Sequence, residues 1–332
     1  TEQCIVRSVD AGHTWNDNPR VFHGGGQCAC ATRLRDGTLL FVTHRKEMIP
    51  DELVHQLPGG NPLAAMEPYL RYLREQDANT STAVQTNRLQ RKLNHWVIVH
   101  AGTEVWRSDD RGLSWQGPAW VEGVPDLPPI LDGLHPPVEI RGFPVELRDG
   151  TVVLPVQNIE LGAILAASVD GGRSWMYRGM AGNNPDGRPF GFDEWSVHET
   201  PSGDLVGFIR SESPPEEGGG YLWTARSSDR GHSWDEPIQH NVWGFPYFVQ
   251  PLPSGHALMV YGYRKPPYGI RCRVLDPECE RPEDAEEVVL RDDGGTRDLG
   301  YPHSTLMPDG RVLVVYYFND REDGQRYIAG SI

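Results

Sequence analysis

Four copies of one eight-residue pattern constrain this chain more than any other feature. "SVDAGHTW" at 8–15, "SDDRGLSW" at 108–115, "SVDGGRSW" at 168–175 and "SSDRGHSW" at 227–234 share the form S-x-D-x-G-x-[ST]-W. The last three copies are spaced near 60 residues apart, a period that belongs to solenoids, arrays and propellers. Within the pattern the aspartate can accept hydrogen bonds from its own turn, the glycine permits positive φ, and the tryptophan plugs the turn against the strands it joins. A catalytic group is seldom needed four times over, so Asp10, Asp110, Asp170 and Asp229 are expected to be structural.

A second repeated element precedes the boxes: an apolar strand, a turn ending in glycine, then a strongly apolar strand. It occurs as "ATRLRDGTLLFV", "PVELRDGTVVLPV", "VHETPSGDLVGFI", "FVQPLPSGHALMVY" and "STLMPDGRVLVVYY", which read as hairpins turning at Asp-Gly or Ser-Gly. A third strand leads into each box and a short fourth follows the tryptophan, and four antiparallel strands make one propeller blade. The first box has only "EQCIVRS" before it. The expected fold is therefore an all-β, six-bladed β-propeller of four-stranded antiparallel blades with an incomplete N-terminal blade, forming a single domain over 1–332. The segment 44–100 falls outside the repeat and reads as a long, partly helical insertion, since Met66, Tyr69, Leu70 and Leu73 have helical spacing.

The bulk numbers agree with a turn-rich β protein: 37 glycines, 28 prolines and 10 tryptophans against a hydrophobic fraction of 38%. The formal charge of -15 speaks against nucleic acid or an anionic membrane as partner, so an anionic ligand would need locally concentrated arginines. The chain has no membrane-length apolar run, and "TEQCIVRSVD" has neither the basic nor the apolar stretch of a leader, which predicts a soluble protein. The five cysteines are too scattered for a disulfide framework, and Cys28 and Cys30 read as buried thiols. No metal signature, nucleotide fingerprint or Ser-His-Asp order stands out, so neither a cofactor nor a metal is expected.

On these boxes and hairpins the chain resembles the sialidase superfamily, whose propellers carry the same repeat, and the resemblance spans almost the whole chain. In "DEWSVHETPSGDLVGFIRS" Glu194 begins an inner strand nine residues before the turn glycine and Arg210 ends the next strand, similar to the family's catalytic glutamate and one of its arginines. "LGYPHSTLMPDGRVLVVYY" looks like the segment with the family's tyrosine nucleophile. Tyr301 precedes Gly310 by nine residues, with Pro302 where the family has serine and His303 beside it. "THRKEMIPDE" places Arg45 and Asp51 in the order of the family's arginine and acid/base aspartate, with Glu47 as a competitor. Gln27 stands where the first arginine of the family's cluster would be, and Arg264 or Arg271 falls near the third.

The resemblance implies an exo-glycosidase that removes a terminal acidic sugar. Arginine forks would hold the sugar carboxylate, Tyr301 would attack, Glu194 would serve as its base, and Asp51 would protonate the leaving oxygen. A tyrosine nucleophile is an exception among glycosidases and avoids repulsion by an anionic substrate. Two other readings stay open: a lyase or atypical glycosidase using His303 and Tyr301 on a uronate, and a non-catalytic carbohydrate-binding or docking propeller.

Overall fold

A computed structural model describes residues 2–10, 12–16, 20–24, 26–50, 96–129, 133–184, 191–212, 219–322 and 324–332. The described residues form six groups of antiparallel strands. The N-terminal pair is β1 (Glu2–Ile5) and β2 (Arg20–Gly24), on either side of the first box. The next blade holds β3 (Gly26–Arg33), β4 (Leu39–Pro50), β5 (Trp96–Ser108) and β6 (Gln116–Glu122). In the third the innermost strand is broken into β7 (Glu139–Ile140) and β8 (Val145–Glu146), followed by β9 (Val152–Asn158), β10 (Gly162–Ser168) and β11 (Trp175–Asn183). Then come β12 (Phe192–Glu199), β13 (Leu205–Ser211), β14 (Tyr221–Ser227) and β15 (Ile238–Trp243), and after them β16 (Phe245–Pro251), β17 (Ala257–Tyr263), β18 (Tyr268–Leu275) and β19 (Val288–Gly294). The last group is β20 (Gly300–Leu306), β21 (Val312–Phe318) and β22 (Tyr327–Ser331). Consecutive strands pair within each group, save that β7 and β8 both pair with β9, and one short parallel pairing of β6 with β11 joins two blades.

The core lies between blades. Along β13, Leu205 and Ile209 pack toward the blade before while Val206 and Phe208 pack toward the blade after. Along β17, Met259 and Tyr261 face one way and Leu258 and Val260 the other. This is the period of two expected of a strand buried on both faces, and it is why these strands read as continuous apolar runs.

Each box closes its blade as the residue types suggest. Asp170 Oδ1 accepts from the backbone N–H groups of Arg173 at 2.9 Å and Ser174 at 3.0 Å. The Trp175 indole, fully buried, donates to the Gly172 carbonyl at 3.2 Å. The opening serine adds a link that the pattern alone did not suggest: Ser168 Oγ accepts from Gly172 N at 2.8 Å and donates to Asp170 Oδ1 at 2.7 Å. Hydrogen bonds from the hydroxyl and the backbone of the [ST] position hold the carboxyls of Asp10, Asp110 and Asp229 down at about 2. These aspartates are thus committed to their own turns.

The N-terminal pair sits beside the last blade, since a Cβ on Gly12 would lie 3.8 Å from Leu313 of β21. β22 pairs with β21 and, among the described residues, not with the N-terminal strands. β4 and β5 stay paired out to Pro50 and Trp96, so ladder takes up both ends of the 44–100 segment. The expected helix around Met66 to Leu73 lies outside the described residues. No helix among the described residues is long and apolar enough to cross a membrane. All five cysteines are free thiols.

Candidate active site

The inner strands share one irregularity. Register shifts interrupt the pairing of β3 between Gln27 and Cys30, β12 between Phe192 and Trp195, β16 between Phe245 and Tyr247, and β20 between Gly300 and His303. Bulges of this kind bend a strand and re-aim a side chain. Cys28 and Tyr301 take the left-handed region here, at φ 56° and 48°, an uncommon and costly choice for residues with a side chain. In β7–β8 the same place is an outright break, and Arg141 occupies it.

Three of the residues thereby turned out meet at one cavity of about 240 Å³, lined by Glu139, Arg141, Gln157, Ile159, Asp193, Glu194, Arg210, Glu212 and Tyr301. The Tyr301 hydroxyl donates to Glu194 Oε1. Arg210 Nη1 donates to Glu194 Oε2 and lies 3.3 Å from the Tyr301 oxygen. Arg141 reaches Glu194 Oε1 from the other side at 3.2 Å, touches the Cys28 thiol, and is 3.5 Å from Glu139. Arg210 also pairs with Asp193 at 3.7 Å and with Glu212. Arg264 stacks over the Tyr301 ring at 5.5 Å while bonding the Leu299 carbonyl and the Tyr317 hydroxyl.

Charge in this buried cluster sorts by neighbour. Burial opposes ionisation of Glu194, but the charges of Arg210 and Arg141 and the hydrogen bond from Tyr301 outweigh it and hold its carboxyl below the usual range. Asp193, equally buried, goes the other way: desolvation pushes it well above the usual carboxylate range against the pull of Arg210, and the charge of Glu194 adds to the rise. Burial and then the charge of Glu194 raise the Tyr301 phenol, against three arginines. At neutral pH the pair is therefore a neutral phenol hydrogen-bonded to a carboxylate.

Of the residues expected from sequence, the structure brings Glu194, Tyr301, Arg210 and Arg264 together. His303 is two residues further along β20, half-buried between the rings of Phe143 at 4.1 Å and Phe248 at 5.0 Å, and does not line the cavity. Burial pushes its imidazole down to about 3. Arg271 lies on the third strand of its blade, where its guanidinium bonds the Arg291 carbonyl at 2.6 Å and stacks on Tyr263. Arg45 pairs with Glu47 and, at 3.3 Å, with Glu104. Gln27 sits on β3 opposite His44, its side chain outside the description, and Asp51 lies outside the described residues.

Arg141, Glu139, Asp193 and Glu212 were not singled out from sequence, and Cys28, read there as a buried thiol, is half-buried beside Arg141. A signal for two of them existed: Arg141 precedes Gly150, and Cys28 precedes Gly37, by the same nine residues that separate Glu194 from Gly203 and Tyr301 from Gly310. A larger cleft of about 760 Å³ opens at the turn end of the blades between Arg7, Arg33 and Arg107 and contains none of these groups.

Inner strands around a central mouth, Asp boxes on the outer turns and a glutamate-bound tyrosine define a sialidase-like β-propeller. Residues 78–314, more than half of the chain, match the family model described as BNR repeat-like domain. The chain belongs to that family. Among solved structures it is similar to a protein of unknown function from Dyadobacter fermentans, at 30% identity and TM-score 0.77, covering 99% of this chain and 82% of that one. It shares its fold with the Penicillium chrysogenum alpha-L-arabinanase complexed with arabinobiose, at 14% identity and TM-score 0.56, over 92% of this chain and 80% of the other. It also shares its fold with the leech intramolecular trans-sialidase, at 12% identity and TM-score 0.57, over 98% of this chain and 62% of that one. A comparison with curated proteins finds no match.

Proposed function

We propose that this protein is a retaining exo-glycosidase of sialidase type that removes a terminal acidic sugar. Tyr301 is its nucleophile, Glu194 the base and Asp51 the proton donor. The observation that carries the reading is the Tyr301 hydroxyl donating to an ionised Glu194 beneath the guanidiniums of Arg210 and Arg141. As the phenol oxygen bonds to the anomeric carbon, its proton passes to Glu194 and the bond to the leaving oxygen breaks, with Asp51 protonating that oxygen. Water then attacks the glycosyl-tyrosine, gives up a proton to Asp51, and releases the sugar as Glu194 returns the phenol proton. Arg141, Arg210 and Arg264 converge on the pair of Tyr301 and Glu194.

A second reading concerns the sugar. Four carboxylates line the cavity, Glu139, Asp193, Glu194 and Glu212, against the guanidiniums of Arg141 and Arg210. Burial pushes Asp193 toward its neutral form, so Glu139, Glu194 and Glu212 stand against Arg141 and Arg210 with Arg264 beside them, a near balance that suits a neutral sugar as well as an acidic one, and the fold is shared with an arabinanase as well as with a trans-sialidase. Release of aryl alcohol from a panel of aryl sialosides, uronides and arabinofuranosides separates the two. The first reading expects turnover of an acidic glycoside, falling by ~10²–10⁴-fold in Glu194→Gln and lost in Tyr301→Phe. Turnover of the arabinofuranoside alone favours the second, and no turnover on any substrate overturns both.

A further inference from the structure

We propose that His44, His100 and Glu139 form a binding site for a divalent cation of the zinc class. The three ligand atoms lie within 4.8 Å of one another. β4 supplies His44 and β5 supplies His100, one blade's neighbouring strands, and β7 of the next blade supplies Glu139 across the interface. His100 Nε2 is 3.1 Å from Glu139 Oε1, and the rings of the two histidines are 5.4 Å apart.

The strongest observation is His44. Its residue is fully buried, and neither ring nitrogen has a well-formed hydrogen bond; the one backbone group acting on the ring is that of Ile140. His100 Nδ1 is likewise buried without a partner. A buried polar atom left unpaired costs roughly 1–3 kcal/mol, and so calls for an explanation. Two imidazoles and a carboxylate form the donor set of an open zinc site, with Zn–N and Zn–O contacts of about 2.0–2.2 Å. Such contacts put tetrahedral ligand atoms about 3.4 Å apart. The His100–Glu139 pair, at 3.1 Å, is already near that spacing, and the His44 nitrogen lies within 4.8 Å of both. Calcium, which takes six or more oxygens, does not suit two imidazoles.

Lys46 and Arg141 are the cations near Glu139. They compete for its carboxylate, so the site is weaker than a closed four-ligand zinc site. Its position is nonetheless consequential. The other oxygen of Glu139 is 3.5 Å from Arg141, whose Nε is 3.2 Å from Glu194, so a bound cation stands directly behind the candidate active site. Spacing in the sequence does not reveal this site, because its ligands are 56 and 39 residues apart (100 − 44 and 139 − 100).

The test uses the full chain after chelator treatment, titrated with Zn2+ by calorimetry and with Co2+ by absorption. The expected result is a single equivalent of Zn2+ bound, a tetrahedral Co2+ ligand-field spectrum, and a raised Tm. His100→Gln should weaken binding by no less than the ~10–100-fold typical of residues that merely support a ligand, with an unchanged circular dichroism spectrum. A wild type that binds Zn2+ no better than His100→Gln, or that binds Ca2+ in preference, overturns the proposal.

Discussion

Arg210 answers to three carboxylates at once, Asp193, Glu194 and Glu212, in a site from which water is largely excluded. Removing one member of such a cluster leaves charge buried without a counter-charge, which typically costs about 3–5 kcal/mol. Arg210→Met is expected to destabilise the protein by about that much in urea unfolding, and the double variant Arg210→Met/Glu194→Gln by clearly less. A loss in the double variant equal to the sum of the losses in Arg210→Met and Glu194→Gln would mean that Glu194 and Arg210 act independently. Arg141 has a milder position on the opposite flank of Glu194. Arg141→Ala should raise the Glu194 carboxyl, since it takes away one of the two guanidiniums that hold it down. The acid limb of the kcat/KM profile should then move to higher pH. An unmoved limb would place Arg141 outside the electrostatics of the base.

At the level of elements, the blade is a repeated solution, and repetition is what made it legible. The boxes fixed where third strands end, the turn glycines fixed where inner strands turn, and counting back nine residues reached Glu194 and Tyr301. What the count could not supply was the bulge itself, because a bulge is a local backbone choice with no fixed residue type. Cys28, Arg141, Glu194 and Tyr301 are chemically unrelated yet stand at the same register position. Arg271 failed to reach the site for a related reason: it lies on a third strand, two ladders away from the mouth. The Ser168 hydroxyl, buried and bonded to both Gly172 and Asp170, was overlooked because its partners lie within the turn. Ser168→Ala leaves a buried N–H unpaired and should cost about 1–3 kcal/mol, read as a lower denaturation midpoint at unchanged m-value. A neutral result would remove the serine from the box's mechanical role.

At the scale of the molecule, the interior between blades holds histidines that are neutral because they are buried. Burial lowers His198 to about 4 and His303 to about 3, against about 6.5 in an unfolded chain. The unfolded state therefore takes up protons first as pH falls, so stability is lost from pH ~6.5 downward, until each folded pKa is passed. By pH 5 the two together cost about 4 kcal/mol. Tm should fall steeply over that interval, and His303→Phe, a ring replacing a ring among Phe143 and Phe248, should flatten the fall. The same variant should keep glycosidase turnover if His303 takes no part in the chemistry. The inner strands of two blades hold the Tyr301 phenol against the Glu194 carboxylate at the mouth. The most direct measurement is peptide mapping by mass spectrometry after incubation with a fluorinated glycosyl fluoride of whichever sugar is turned over. The account predicts a glycosyl adduct on Tyr301 that is absent in Tyr301→Phe. An adduct on a carboxylate instead, or inversion at the anomeric carbon with no adduct at all, would contradict it.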